Sequence, residues 1–143
     1  MNHYIIFTDG AYSSLRKQGG VGVVFVKDGK KVYEFSKMIP NTTNNRCEIS
    51  AVIYALNAIS KPIDSITIYT DSQYVLGCIN EGWQRKKNRV LWSIFDNIYN
   101  KASKFCQNIK FDWVKGHSKS DDFFSEMNNL ADKLAVEASQ EYV

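Results

Sequence analysis

Runs of apolar residues separated by short polar turns divide this sequence into an alternating series of strands and helices. The first run, Tyr4-Ile5-Ile6-Phe7-Thr8-Asp9-Gly10, predicts a central strand that is buried on both faces. Two further strands are predicted at 21–26 and 31–38. The segment Lys27-Asp28-Gly29-Lys30 joins them, and an Asp-Gly pair between strands strongly favours a hairpin. The chain is therefore expected to open with three antiparallel strands.

The remainder of the chain alternates between helical and strand-like periodicity. β-branched alternation predicts strands at 66–70 and 109–114. Apolar residues at helical spacing predict helices after the polar cluster 41–45, from 73 to 79, from 90 to 102 and from about 125. The third predicted helix, the clearest of them, is expected to bury one apolar face made of Val90, Leu91, Ile94, Phe95, Ile98, Tyr99 and Ala102. This order of elements predicts a single α/β domain, residues 1–143, with a mixed sheet.

The composition excludes several classes of protein. With 44% hydrophobic and 23% charged residues, the chain is neither disordered nor a fibrous repeat. No apolar run approaches the roughly 20 residues of a membrane span. Because Met1-Asn2-His3 leads directly into the first predicted strand, no signal sequence is expected. The cysteines, Cys47, Cys78 and Cys106, are too widely spaced to suggest a zinc site or a disulfide framework. A reducing, cytoplasmic location is therefore expected.

The positive charge is modest overall but unevenly distributed. The net charge is only +3, yet Arg85-Lys86-Lys87-Asn88-Arg89 places four cations within five positions. Such a balance permits a nucleic-acid partner without requiring one. Taken alone, the basic run is equally typical of a solvated surface.

Three acidic residues stand where an apolar element begins or ends. Each has an ordinary structural explanation. Asp9 fits an Asp-Gly turn, Glu48 fits a capping box with Asn45, and Asp71 fits a helix N-cap.

A functional explanation follows if the acids meet. Sites in open α/β sheets gather at the ends of central strands, so Asp9 and Asp71 converge if their strands are parallel neighbours. Glu48, at a helix start, would then close the group. Carboxylates so placed repel each other unless a cation lies among them. Their hard oxygen atoms suit Mg²⁺ or Mn²⁺ rather than zinc, and Mg²⁺ held by a few carboxylates points to phosphoryl transfer.

Five motifs, in this order, resemble those of ribonuclease H of type 1, and together they cover the chain almost end to end. They are Phe7-Thr8-Asp9-Gly10, Thr42-Thr43-Asn44-Asn45-Arg46-Cys47-Glu48, Tyr69-Thr70-Asp71-Ser72-Gln73-Tyr74-Val75, Trp113-Val114-Lys115-Gly116-His117 and Asn128-x-x-x-Asp132. The resemblance implies a ribonuclease H-like fold, in which helices flank a five-stranded mixed sheet of order 3-2-1-4-5.

The resemblance also implies the catalytic groups. Two Mg²⁺ ions, for which Mn²⁺ is a possible substitute, would be held by four acids, Asp9, Glu48, Asp71 and Asp132. By helical periodicity Asp132 shares a face with Asn128 and Val136 rather than with the apolar stripe, so periodicity alone predicts that it is exposed. His117 is implied to shuttle a proton or to help release the product.

The implied substrate is an RNA–DNA hybrid whose RNA strand is cut to leave 3′-hydroxyl and 5′-phosphate ends. The 2′-hydroxyl, accessible in the wide minor groove, would identify the RNA strand. The matching positions that are implied to bind the substrate are Gly10, Thr43, Asn44, Asn45, Gln73, Asn88 and Asn128. The protein is expected to be a monomer and not to associate with a membrane.

Two alternatives stay open at this point. The first is another nuclease of the same fold, such as an integrase or a junction resolvase, against which the Gly116-His117 and Thr43-Asn44-Asn45 segments argue. The second is a catalytically silent hybrid-binding module. The presence of all four acids argues against that module, because an inactive relative needs to lose only one.

Overall fold

The computed structural model describes residues 2–115 and 122–141, in which five strands and four helices follow the predicted order. The elements are β1 (His3–Ser13), β2 (Gln18–Lys27), β3 (Lys30–Pro40), α1 (Asn44–Asn57), β4 (Ser65–Thr70), α2 (Gln73–Asn80), α3 (Arg89–Ala102), β5 (Ile109–Trp113) and α4 (Phe123–Ser139). Within these described ranges, no helix is both long enough and apolar enough to cross a membrane.

The strands form one mixed sheet in the order β3-β2-β1-β4-β5, which confirms the predicted topology. β1, β2 and β3 pair antiparallel, whereas β4 runs parallel to β1 and to β5. The hairpin between β2 and β3 turns at Asp28 and Gly29, whose φ angles are +53° and +73°. Two positive φ angles in a two-residue loop are typical of the turn that matches the twist of paired strands.

Helices cover both faces of the sheet and enclose two hydrophobic clusters. On one face, α1, α2 and α3 pack over a large cluster that includes Ile6, Ile49 and Ile68. On the other face, α4 packs on β1 and β2 over a smaller cluster that includes Phe7 and Met127. Polar groups of the two central strands are therefore enclosed between helices: Asp9 in β1 is 4% exposed and Thr70 at the end of β4 is 1% exposed.

Most of the predicted apolar face of α3 packs against the large cluster, through Leu91, Phe95, Ile98, Tyr99 and Ala102, but two of its residues do not. Val90 and Ile94 are 75% and 43% exposed, so the prediction that they face the core is wrong, while Trp92 is only 2% exposed. An indole ring buries far more apolar area than a valine side chain, and its N–H requires a partner when it is buried. The hydroxyl of Tyr74 provides that partner, at 3.2 Å from Trp92 Nε1. Burial of Trp92 therefore decides the orientation of the helix.

Candidate active site

Strands β1 and β4 carry Asp9 and Asp71 to the same edge of the sheet. The two strands are parallel, with Phe7 opposite Tyr69, so Asp9 and Asp71 each follow that pair by two residues. β1 continues through Asp9 to Ser13, and the explanation of Asp9 as a turn residue is therefore wrong. The Asp9 side chain instead points out of a strand at the sheet edge and is only 4% exposed.

Helix α1 places Glu48 directly over Gly10. The N-cap of α1 is Thr43, whose side chain accepts the N–H of Arg46, so the proposed capping box with Asn45 is not formed. Glu48 Oε1 instead accepts the backbone N–H of Gly10 at 2.5 Å. A Cβ on Gly10 would lie 2.5 Å from Glu48 N, so this close approach of the helix requires a glycine.

Asp71 is likewise free of the capping role that its position suggests. The N-cap of α2 is Ser72, whose hydroxyl accepts the N–H of Val75 at 3.2 Å. Asp71 precedes the cap and faces the other acids. One carboxylate oxygen from each of Asp9, Glu48 and Asp71 lies within 4.8 Å of the others. Three acids that are far apart in sequence thus form one compact group.

Asp132 joins this group from helix α4. It is half-buried, and its carboxyl group forms a hydrogen bond with that of Asp9. The periodicity-based prediction that Asp132 is exposed is therefore wrong. The reason is that α4 packs across β1 and β2 close to Asp9. A residue on the flank of the buried stripe of α4 therefore reaches the acids.

Burial and mutual repulsion hold protons on this acidic group. The pKa of Asp9 is raised from 3.8 to about 10 by burial, then by the charges of Glu48 and Asp71, and then by the hydrogen bond with Asp132. The pKa of Glu48 is raised to about 8, mainly by burial and then by Asp71. Because the acids interact strongly, these protons belong to the group rather than to single residues. A divalent cation would displace them and remove the repulsion.

The donor set fits a hard cation. The described residues place only carboxylate oxygens in the compact group, with no sulfur or imidazole ligand among them. Mg²⁺ and Mn²⁺ prefer such oxygen ligands.

The predicted substrate-binding residues of the first two helices surround the acids. Asn44 and Asn45 begin α1 and Gln73 begins α2, and all three side chains are exposed. Thr43, the N-cap of α1, is also exposed. Because these helix starts adjoin the edge that carries the acids, their polar side chains form an accessible rim around the group.

Asn88 and Asn128 have different surroundings. Asn88, with a φ of +60°, directs its Nδ2 to the hydroxyl of Tyr74 at 3.2 Å. Asn128 is 1% exposed and donates from Nδ2 to the carbonyl of Lys115 at 3.2 Å. It therefore lies beneath the surface rather than on the rim. His117 lies outside the residues that the structure describes.

Sequence reasoning missed the part played by Tyr74. Its hydroxyl accepts N–H groups from both Asn88 and Trp92, which lie 14 and 18 residues away. Separations of this length leave no periodic signal, so only the packing of α2 against α3 reveals the contact.

The basic residues between α2 and α3 differ in whether they contact the rest of the protein. The guanidinium of Arg85 lies 4.5 Å from the ring centre of Trp92 and forms an ion pair with Asp96 at 2.8 Å. Arg85 is therefore held against the protein. Lys86, Lys87 and Arg89 are exposed, and they form the part of the run that can face an anionic partner.

A mixed sheet in this order, with acids from its two central parallel strands gathered into one group, defines the ribonuclease H-like class of fold. The model of the RNase H family matches residues 1–140. The chain therefore belongs to the RNase H family, which confirms the resemblance and the prediction of a nuclease of this class.

Similar proteins match along nearly the whole chain. The ribonuclease H of Clostridium botulinum is 35% identical over 158 residues, covering 99% of this chain and 99% of that protein. The ribonuclease H of Desulforamulus reducens is 34% identical over 145 residues, covering 95% of this chain and 87% of that protein. Among solved structures, LC11-RNase H1 in complex with an RNA/DNA hybrid has a TM-score of 0.75 and 26% identity, and the match covers 94% of this chain and 95% of that one.

Proposed function

We propose that this protein hydrolyses the RNA strand of RNA–DNA hybrids and leaves 3′-hydroxyl and 5′-phosphate ends. The observation that carries the proposal is the compact group of Asp9, Glu48 and Asp71, whose oxygens lie within 4.8 Å of one another at the edge of the sheet. Family membership and the likeness to a ribonuclease H1 that binds an RNA/DNA hybrid support the choice of substrate.

Asp9, Glu48, Asp71 and Asp132 are the residues that would hold two Mg²⁺ ions, with Mn²⁺ as a substitute. When bound, such ions lower the pKa of a water molecule and stabilise charge on the phosphate and the leaving oxygen. Four ionised carboxylates balance the charge of two divalent ions. This balance explains why the acids can be buried together although each alone resists ionisation.

The protein's own groups would orient the acids and move the proton. The N–H of Gly10, 2.5 Å from Glu48 Oε1, fixes that carboxylate beside Asp9. The backbone of Gly10 would thus organise the acids, in addition to the substrate contact proposed for it. Asn128 would anchor the start of the segment after β5 through Lys115, rather than touch the substrate. His117, two residues after Lys115 in the sequence, would shuttle a proton or help release the product.

Recognition of the hybrid would use the polar rim. Asn44, Asn45 and Gln73 are exposed beside the acids and can bond groove edges and 2′-hydroxyls, which distinguish RNA from DNA. Thr43 and Asn88 would bind a phosphate of the DNA strand. Such contacts position a duplex without selecting its sequence, so weak base preference is expected. The monomeric state and the cytoplasmic location likewise stay predictions.

The test is cleavage of a hybrid whose RNA strand is labelled, in the presence of Mg²⁺, by the wild-type protein and by Asp9→Asn. We expect the wild type to cut only the RNA strand, to products that a polymerase can extend from their 3′-hydroxyl. Asp9→Asn should lose this activity and still bind the hybrid. Binding without cutting by the wild type would establish the silent module instead. Cutting of duplex DNA at a similar rate would indicate another nuclease of this fold.

A further inference from the structure

Gly22 of strand β2 lies at the junction between Asp9 and helix α4. In the antiparallel pairing of β1 and β2, Gly22 is the partner of Asp9. A Cβ built on Gly22 would lie 2.1 Å from the carbonyl oxygen of Ala131 and 2.8 Å from the amide nitrogen of Ala135. Both atoms belong to the helical turn that carries Asp132.

This contact leaves no room for any side chain. Real Cβ atoms essentially never approach another atom to within 3.0 Å, so a substitution at Gly22 requires a separation of roughly 1 Å between β2 and α4. The two nearest opposing atoms are backbone, and the third is Leu134 Cβ at 2.9 Å, which is fixed to the helix backbone. Ala131 and Ala135 are 0% exposed, so the far end of a flexible side chain cannot relieve the contact by moving aside. The displacement must therefore be taken up by the turn that includes Asp132.

We propose that Gly22 is a positioning residue, whose missing Cβ lets α4 pack on β2 at the distance that brings Asp132 to Asp9. It touches neither substrate nor metal and acts only through Asp132. The inference rests on the proposed function, because it takes Asp132 to be one of the acids that hold the metal ions. A misplacement of 1 Å in a catalytic constellation can cost about 100-fold in rate.

Gly20 provides a matched control on the same strand and against the same helix. A Cβ on Gly20 would lie 2.2 Å from the carbonyl oxygen of Ala135 and 2.5 Å from the amide nitrogen of Ser139, nearer the end of α4. Its strand partner is Ala11 rather than an acid. Gly20→Ala and Gly22→Ala should therefore cost similar stability, while only Gly22→Ala disturbs the turn that holds Asp132.

The experiment is a double-mutant cycle that combines Gly22→Ala with Asp132→Asn. Two quantities are measured: kcat and KM on a labelled hybrid, and the affinity for Mg²⁺ alone by calorimetry without substrate. We expect Gly22→Ala to lower kcat about 100-fold with little change in KM, and to weaken Mg²⁺ binding. In the Asp132→Asn background the same substitution should change kcat and Mg²⁺ affinity less than about threefold, because residues that act as a unit are non-additive. Gly20→Ala should lower kcat less than about tenfold.

Several outcomes would overturn the inference. Additive losses in the cycle, or equal losses of kcat in Gly20→Ala and Gly22→Ala at equal stability, would show a general packing role. If Gly22→Ala is unfolded by circular dichroism, the cycle is repeated in trimethylamine N-oxide, which favours the compact state. Failure to fold there would also refute a positioning role. If Asp132→Asn itself leaves kcat and Mg²⁺ affinity unchanged, the assignment of Asp132 in the proposed function fails first.

Discussion

Replacing Asp9 by Asn should stabilise the metal-free protein at alkaline pH although it abolishes catalysis. The pKa of Asp9 is about 10 in the folded protein, compared with a reference value of 3.8. Between these values the folded state holds a proton that the unfolded state releases. Stability is therefore lost as the pH rises through this window. Asn cannot ionise, so the variant should not show this loss, and its Oδ1 can still accept the N–H of Gly10.

The structure sets the size of the effect. Each pH unit within the window corresponds to about 1.36 kcal/mol, so moving from pH 5 to pH 8 can cost the wild type at most about 4 kcal/mol at this group. The titration of Asp9 is linked to that of Glu48, whose pKa is also raised, and this linkage spreads the cost over both carboxyl groups. We therefore expect the advantage of Asp9→Asn over the wild type to grow by about 2 kcal/mol between these pH values.

Urea unfolding in the presence of a chelator, at pH 5 and at pH 8, measures this difference. Glu137→Gln is a suitable control, since it removes a carboxylate from α4 that is 61% exposed and lies outside the acidic group. Adding Mg²⁺ at pH 8 should stabilise the wild type more than Asp9→Asn, because a bound cation replaces the protons. If Asp9→Asn has the same effect on stability at both pH values, Asp9 does not share buried protons with its neighbours.

Two further predictions concern the edge of the site. Arg85 is held by Trp92 and Asp96, whereas Lys86 is exposed. Lys86→Ala should therefore reduce the slope of log hybrid affinity against log salt concentration by about 1, while Arg85→Ala should lower stability and leave that slope unchanged. Equal slopes for the two variants would contradict this difference. Tyr74→Phe should lower the free energy of unfolding in urea by about 1–3 kcal/mol, because the buried indole N–H of Trp92 loses its acceptor. The same variant should raise KM, because Asn88 loses its contact with the Tyr74 hydroxyl, and an unchanged KM would mean that Asn88 does not need this contact.

Local patterns were sufficient to predict the elements and, with the motifs, the order of the strands. The Asp28-Gly29 turn, the alternation of β4 and the apolar stripe of α1 each depend on residues a few positions apart, so they are visible in the sequence. The burial of Trp92 on α3, in place of Val90 and Ile94, was not visible, because it depends on a contact with Tyr74 of another helix. The burial of Asn128 likewise involves a hydrogen bond to a residue outside its helix, the carbonyl of Lys115.

The sequence by itself determined which acids the chain offers and that Asp9 and Asp71 each directly follow an apolar run. It left each acid with an ordinary local role, and only the tertiary structure decided against those roles. Thr43 and Ser72 cap the helices, which leaves Glu48 and Asp71 to face Asp9, and the packing of α4 on β2 brings Asp132 to the same place. The physical reason is that capping and turn preferences act between neighbours along the chain. The repulsion that makes these acids a metal site arises only when the sheet and helices bring distant residues together.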